Sequence, residues 1–107
     1  MAKELPLYVP HDGTVKISGT TQPRGAGRCA YYYLRRGWPV EFFCIGANAN
    51  QQAMKSMGVF GELVKEDPEY KGKFVAFVPE RVRTSTLDGS GHEKDKDATV
   101  WKTVLVG

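Results

Sequence analysis

Apolar and polar positions follow two different periods along this chain, and they divide it into a short series of elements. Thr14-Val15-Lys16-Ile17-Ser18 alternates with period two, the mark of a half-buried strand. Gly19-Thr20-Thr21-Gln22 reads as a loop, with Thr21 or Gln22 at the N-cap position and Pro23 suited to a first helical turn. A helix is expected from Pro23 to Arg36. It places Ala26, Cys29, Ala30, Tyr33 and Leu34 on one side and Arg24, Arg28 and Arg35 on the other, with Tyr31 beside the arginines. Gly25 and Gly27 weaken that helix, which implies a close approach to its first turn. Gly37 and Pro39 stop it.

The run Val40-Glu41-Phe42-Phe43-Cys44-Ile45 is nearly all apolar and predicts a central strand. A second helix follows from Ala47 to about Gly58, burying Ala49, Ala53 and Met57, with Phe60 at the end of the stripe. Residues Glu62 to Glu69 read as an acidic linker ending in the turn Asp67-Pro68. Lys73 to Val78 is a third strand, with Pro79 as a bulge or bend and a possible continuation to Ser85. Leu87 to Asp97 is a charged loop, and Thr99 to Val106 the last strand. The order β-α-β-α-β-β, ending in a long hairpin, belongs to the α+β class. Residues 1–13, with Pro6, Pro10 and Gly13, form an extended arm that can add to a sheet edge, and 14–107 form the domain.

At 41% apolar and 25% charged, the 107 residues suit one folded domain and argue against disorder. No apolar run reaches the length of a membrane span, and the N-terminus has no apolar segment of signal-peptide length, so a cytoplasmic address and no membrane partner are expected. Cys29 and Cys44 read as buried free thiols. With no CxxC and only His11 and His92, a zinc site lacks ligands.

Charge distribution changes the picture more than net charge. Five basic residues and no acid lie between Thr14 and Val40 (Lys16, Arg24, Arg28, Arg35, Arg36), leaving ten basic residues against twelve acids elsewhere. A basic block in an otherwise slightly acidic chain is the footprint of a protein that meets a polyanion. Around the Gly19–Arg28 turn, backbone N–H groups and the helix dipole favour phosphate, and arginines supply charge-assisted bonds. The GK[ST] ending of a nucleotide-hydrolysing loop is absent. Arg81 and Arg83 share a face of the hairpin, with Lys94 and Lys96 near its tip. In the Tyr31-Tyr32-Tyr33 run, Tyr31 is the stacking candidate, set against packing in the core or a dimer. Neither histidine has an evident partner, and no nucleophile motif is visible, so no enzyme activity and no cofactor are expected.

The block Val15-Lys16-Ile17-Ser18-Gly19-Thr20-Thr21-Gln22-Pro23, with a helix running to Leu34-Arg35-Arg36-Gly37, resembles the opening of the Alba superfamily. It is most similar to the branch typified by stage V sporulation protein S. The segment Ile45 to Met57, with its glycine-alanine start and Gln51-Gln52-Ala53, is similar to the family's second helix. This resemblance implies an Alba-like two-layer sandwich, homodimers or higher homo-oligomers, and non-catalytic binding of DNA, or of RNA, through the phosphate backbone. It points to Thr20, Thr21, Gln22 and Arg24 at the loop and to Arg81 and Arg83 on the hairpin. Lys16, Arg28 and Arg35 complete the expected nucleic-acid surface. The lysine that Alba proteins often carry in this loop is absent. The alternative is a protein-interaction module or inhibitor that keeps the scaffold without the polyanion, with Tyr31, Arg24 and Arg28 as anchors.

Overall fold

The computed structural model describes residues 5–87 and 93–107, with only the backbone described at 86–87 and 93–94. Its elements are β1 (Thr14–Ile17), α1 (Pro23–Arg35), β2 (Glu41–Cys44), α2 (Gly46–Glu66), β3 (Phe74–Leu87) and β4 (Glu93–Val106), with a 3₁₀ turn at Pro68–Tyr70. They form an α+β fold around a four-stranded mixed sheet ordered β1-β2-β4-β3. β1 pairs parallel with β2, β2 antiparallel with β4, and β4 antiparallel with β3.

Strand parity decides which side chains meet the helices. Val15, Ile17, Phe42 and Cys44 point to the face that carries α1 and α2, and pack with Ala26, Ala30, Ala49, Ala53, Phe60 and Val64. Phe42, Phe60 and Phe77 meet ring to ring, with centroids 5.9 to 6.1 Å apart. On the opposite face a smaller cluster forms from Phe43, Val82, Ala98 and Val100, with Tyr8 of the arm packed on it.

α2 runs eight residues beyond the expected end at Gly58, so Glu62 to Glu66 is helix and not linker. The buried stripe Ala49, Ala53, Met57, Phe60 and Val64 continues at helical spacing, and burying Phe60 and Val64 outweighs the two glycines. Gly27 has a different role from the one its position implied. A Cβ there would lie 2.6 Å from the Val59 side chain, so the group approaching α1 closely is α2 itself. Gly25 has nothing within 4 Å of such a Cβ.

The hairpin is longer and more regular than expected. Its register runs unbroken from Phe74↔Val106 to Leu87↔Glu93, so most of the charged segment is strand. Pro79 sits in this ladder without a bulge, opposite Trp101. The backbone N–H and C=O of Arg83 point outward to the arm, and Pro79 shares that parity. Its missing N–H therefore falls on the free edge of β3, where no ladder bond is lost.

The arm does add to an edge. Leu7 bridges Arg83 in parallel, with Tyr8 N donating to Arg83 O and Arg83 N to Pro6 O, both at 2.9 Å. It then crosses the helix-free face. Tyr8 stacks on Phe43 at 4.9 Å and 9°, and its hydroxyl meets Thr14 Oγ1 at 2.7 Å and Glu41 Oε1 at 3.0 Å. His11, which had no evident partner in the sequence, contacts the same carboxylate through Nε2 at 2.9 Å.

Burial pushes the Tyr8 phenol up to about 12, its Thr14 bond partly offsetting this and Glu41 adding to it. Between the ordinary tyrosine value of 10.0 and about 12, the folded chain holds a proton that the unfolded chain releases. Stability therefore falls as pH rises through that window. Urea unfolding at about pH 9 and about pH 11 should show a larger loss in the wild type than in Tyr8→Phe. Equal losses would remove Tyr8 as the cause.

Candidate nucleic-acid interface

The nine residues singled out in the sequence fall on different surfaces. α1 begins at Gln22, whose side chain makes no capping bond, and Pro23 follows in the first turn. No acidic residue occupies that turn. The preceding loop is closed on itself: Thr21 Oγ1 accepts from Ser18 N at 2.7 Å, and the Ser18 hydroxyl meets Thr20 Oγ1 at 3.1 Å. Gln52 of α2 donates to Thr21 O at 3.2 Å and ties the loop to the second helix. Thr20 and Gln22 are exposed, and Thr21 is half-buried.

Arg24 and Arg28 stand exposed on successive turns of α1. Among the described residues neither has an ion pair or a side-chain hydrogen bond. Their charge is thus uncompensated locally, on a helix with no carboxylate of its own.

The other cations are placed differently. Arg35 Nη1 bridges Asp67 at 3.0 Å and Glu69 at 2.8 Å. Asp67 also accepts from the Tyr31 hydroxyl, and with that bond, the Glu69 N–H and Arg35 its carboxyl is held below the usual carboxylate range. That network fixes the end of α2 against α1, and it takes Tyr31 as well. The stacking candidate of the sequence is half-buried and hydrogen-bonded, while Tyr32 beside it is 60% exposed.

On the hairpin, Arg81 pairs with Asp97 at 3.0 Å. Arg83 pairs with Asp95 at 3.5 Å and donates from Nε to Leu5 O at 2.9 Å. Its guanidinium serves to anchor the arm. Lys96 is exposed; His92 and the Lys94 side chain lie outside the described residues. Lys16 alternates with Val15 and Ile17, so it projects from the helix-free face, away from α1. There it lines a cavity of about 410 Å³ with Leu7, Tyr8, Val9, Pro10, Phe43 and Ile45.

No family model matches this sequence, and no curated protein matches it. The site therefore stands on its own geometry.

Three residues outside the expected site, Tyr32, Arg36 and Trp38, continue the arginine face. Arg36 caps α1, and its guanidinium lies 5.0 Å from the Tyr32 ring centroid and 5.2 Å from that of Trp38. Gly37, at φ 78°, supplies the left-handed turn that folds Trp38 back, and Trp38 N donates to Tyr33 O at 3.1 Å. The signal was present in the spacing, because Arg24, Arg28, Tyr32 and Arg36 are each four residues apart.

Among the described residues no group of three or more His, Cys, Asp or Glu is placed to hold a metal ion. No described helix is long and apolar enough to cross a membrane. Cys44 is buried with its thiol pushed up by that burial, and Cys29 is half-buried; both are free thiols.

Proposed function

We propose that this protein is a non-catalytic nucleic-acid binder that grips the phosphate backbone through the exposed face of α1. The observation that carries the reading is the pair Arg24 and Arg28, exposed one turn apart and without an acidic partner among the described residues. Exposed guanidinium groups on a helix free of carboxylates offer charge-assisted bonds to phosphate oxygens with little sequence preference. The uncapped start of α1 adds the positive end of the helix dipole to the same surface. The Alba-like order of elements in the sequence supports the same reading.

Arg35, Arg81 and Arg83 are already neutralised by carboxylates, so they contribute less to this surface than their number implies. One protomer then supplies few cations, and a homodimer would double them. Phe74, Val78, Val104 and Val106 are exposed on the helix-free face and offer a second copy an apolar patch. That same patch is what favours the second reading, a protein-interaction module or inhibitor on this scaffold. The two are separated by equilibrium binding to labelled DNA and RNA across a salt series: salt-sensitive binding supports the first, and none at low salt favours the second.

A further inference from the structure

The arginine stripe of α1 does not end in solvent. Four residues correspond to about 6 Å along a helix, so Arg24, Arg28, Tyr32 and Arg36 mark one line of even steps. At its end the Arg36 guanidinium lies over both the Tyr32 and the Trp38 rings. This arrangement covers one side of the Tyr32 ring, yet the residue remains 60% exposed. The Trp38 ring is placed by the left-handed turn at Gly37 and by its tilted contact with Tyr33 at 5.4 Å.

We infer that Tyr32, supported by Arg36 and Trp38, is a stacking platform for an unpaired base, so that the ligand of this surface is single-stranded nucleic acid. The inference rests on the nucleic-acid reading above and specifies which form is bound. A strand running along α1 places its phosphates against Arg24 and Arg28 and lays a base on the free side of Tyr32. A paired base in the interior of a duplex has both faces covered by its neighbours in the stack and cannot use this platform. Every base has a π face, so the platform adds affinity for single strands without reading sequence. Arg36 keeps the ring oriented and adds positive charge beside the strand.

The test compares a labelled single-stranded DNA oligonucleotide with an abasic strand of the same length and charge, and with a duplex of the same sequence. The wild type is expected to bind the normal strand about tenfold more tightly than the abasic one. Tyr32→Ala should bring the two strands to equal affinity with the salt slope unchanged, while Tyr32→Phe should retain the difference. Tyr32 is largely exposed, so both variants should keep the fold, which their thermal melts check. Equal, salt-sensitive binding of normal and abasic strands by the wild type would overturn the platform and leave phosphate binding standing. Tighter binding of the duplex than of the single strand would overturn it in the same way. Binding of none of the three would overturn both readings in favour of a protein partner.

Discussion

Replacing Arg24 and Arg28 together with glutamine should weaken binding to a single-stranded oligonucleotide about 10- to 100-fold at low salt. Each arginine is exposed and has no described carboxylate to fall back on, so its loss removes a contact with the ligand and leaves the fold intact. The estimate follows from charge-assisted bonds worth about 1.5–3 kcal/mol at best, reduced by exposure to solvent. The dependence on salt should change with it. A single strand gives about 0.7 in log–log slope for each phosphate neutralised, so the double variant should be flatter by about 1.4 per protomer. Arg81→Gln makes the contrast, because Arg81 is paired with Asp97 and should alter affinity and slope far less. A folded double variant with wild-type affinity would remove α1 as the binding surface.

Phe60→Ala is expected to be the most destabilising single truncation in the second half of α2. Phe60 is fully buried, and its ring bridges the helix to Phe42 of β2 and Phe77 of β3. Emptying that position should cost about 3–5 kcal/mol and lower the melting temperature by about 15–30 °C. The result also tests the course of the helix. Were the helix to end at Gly58, Phe60 would not be set against both Phe42 and Phe77, and its truncation would cost no more than about 1 kcal/mol. Thermal melts of wild type and variant decide between these.

The difference between linker and helix shows where sequence patterning carries and where it stops. β1 and α1 were legible from a clear period and β2 from a nearly unbroken apolar run, with Pro23 at the start of α1 and Gly37 after it marking the helix ends. α2 was cut short because Gly58 and Gly61 are local breakers, whereas the forces that keep the helix going are remote. Phe60 and Val64 are held by strands that come from elsewhere in the chain. Gly27 makes the same point, since the side chain it admits, Val59, lies 32 residues away.

The candidate site divides along the same line. Exposure of Arg24 and Arg28 followed from helical phase alone. Neutralisation of Arg35 depends on where Asp67 and Glu69 arrive after α2, which no local pattern encodes. On the hairpin, Arg81 and Arg83 meet Asp97 and Asp95 only in a register that extends both strands past the expected loop. Of the two roles weighed for Tyr31, stacking and packing, the half-buried, hydrogen-bonded phenol takes packing, for a related reason. Standing near the arginines on a helical wheel did not separate a phenol reaching across to Asp67 from one left in solvent. The four-residue spacing from Arg28 through Tyr32 to Arg36 was the usable signal.

The most direct test of the central claim is fluorescence anisotropy of labelled single-stranded DNA, duplex DNA and single-stranded RNA with the wild-type protein, each titrated across salt. The account predicts saturable binding that weakens steeply with salt and is tightest for a single strand. No binding to any of the three at low salt would contradict it.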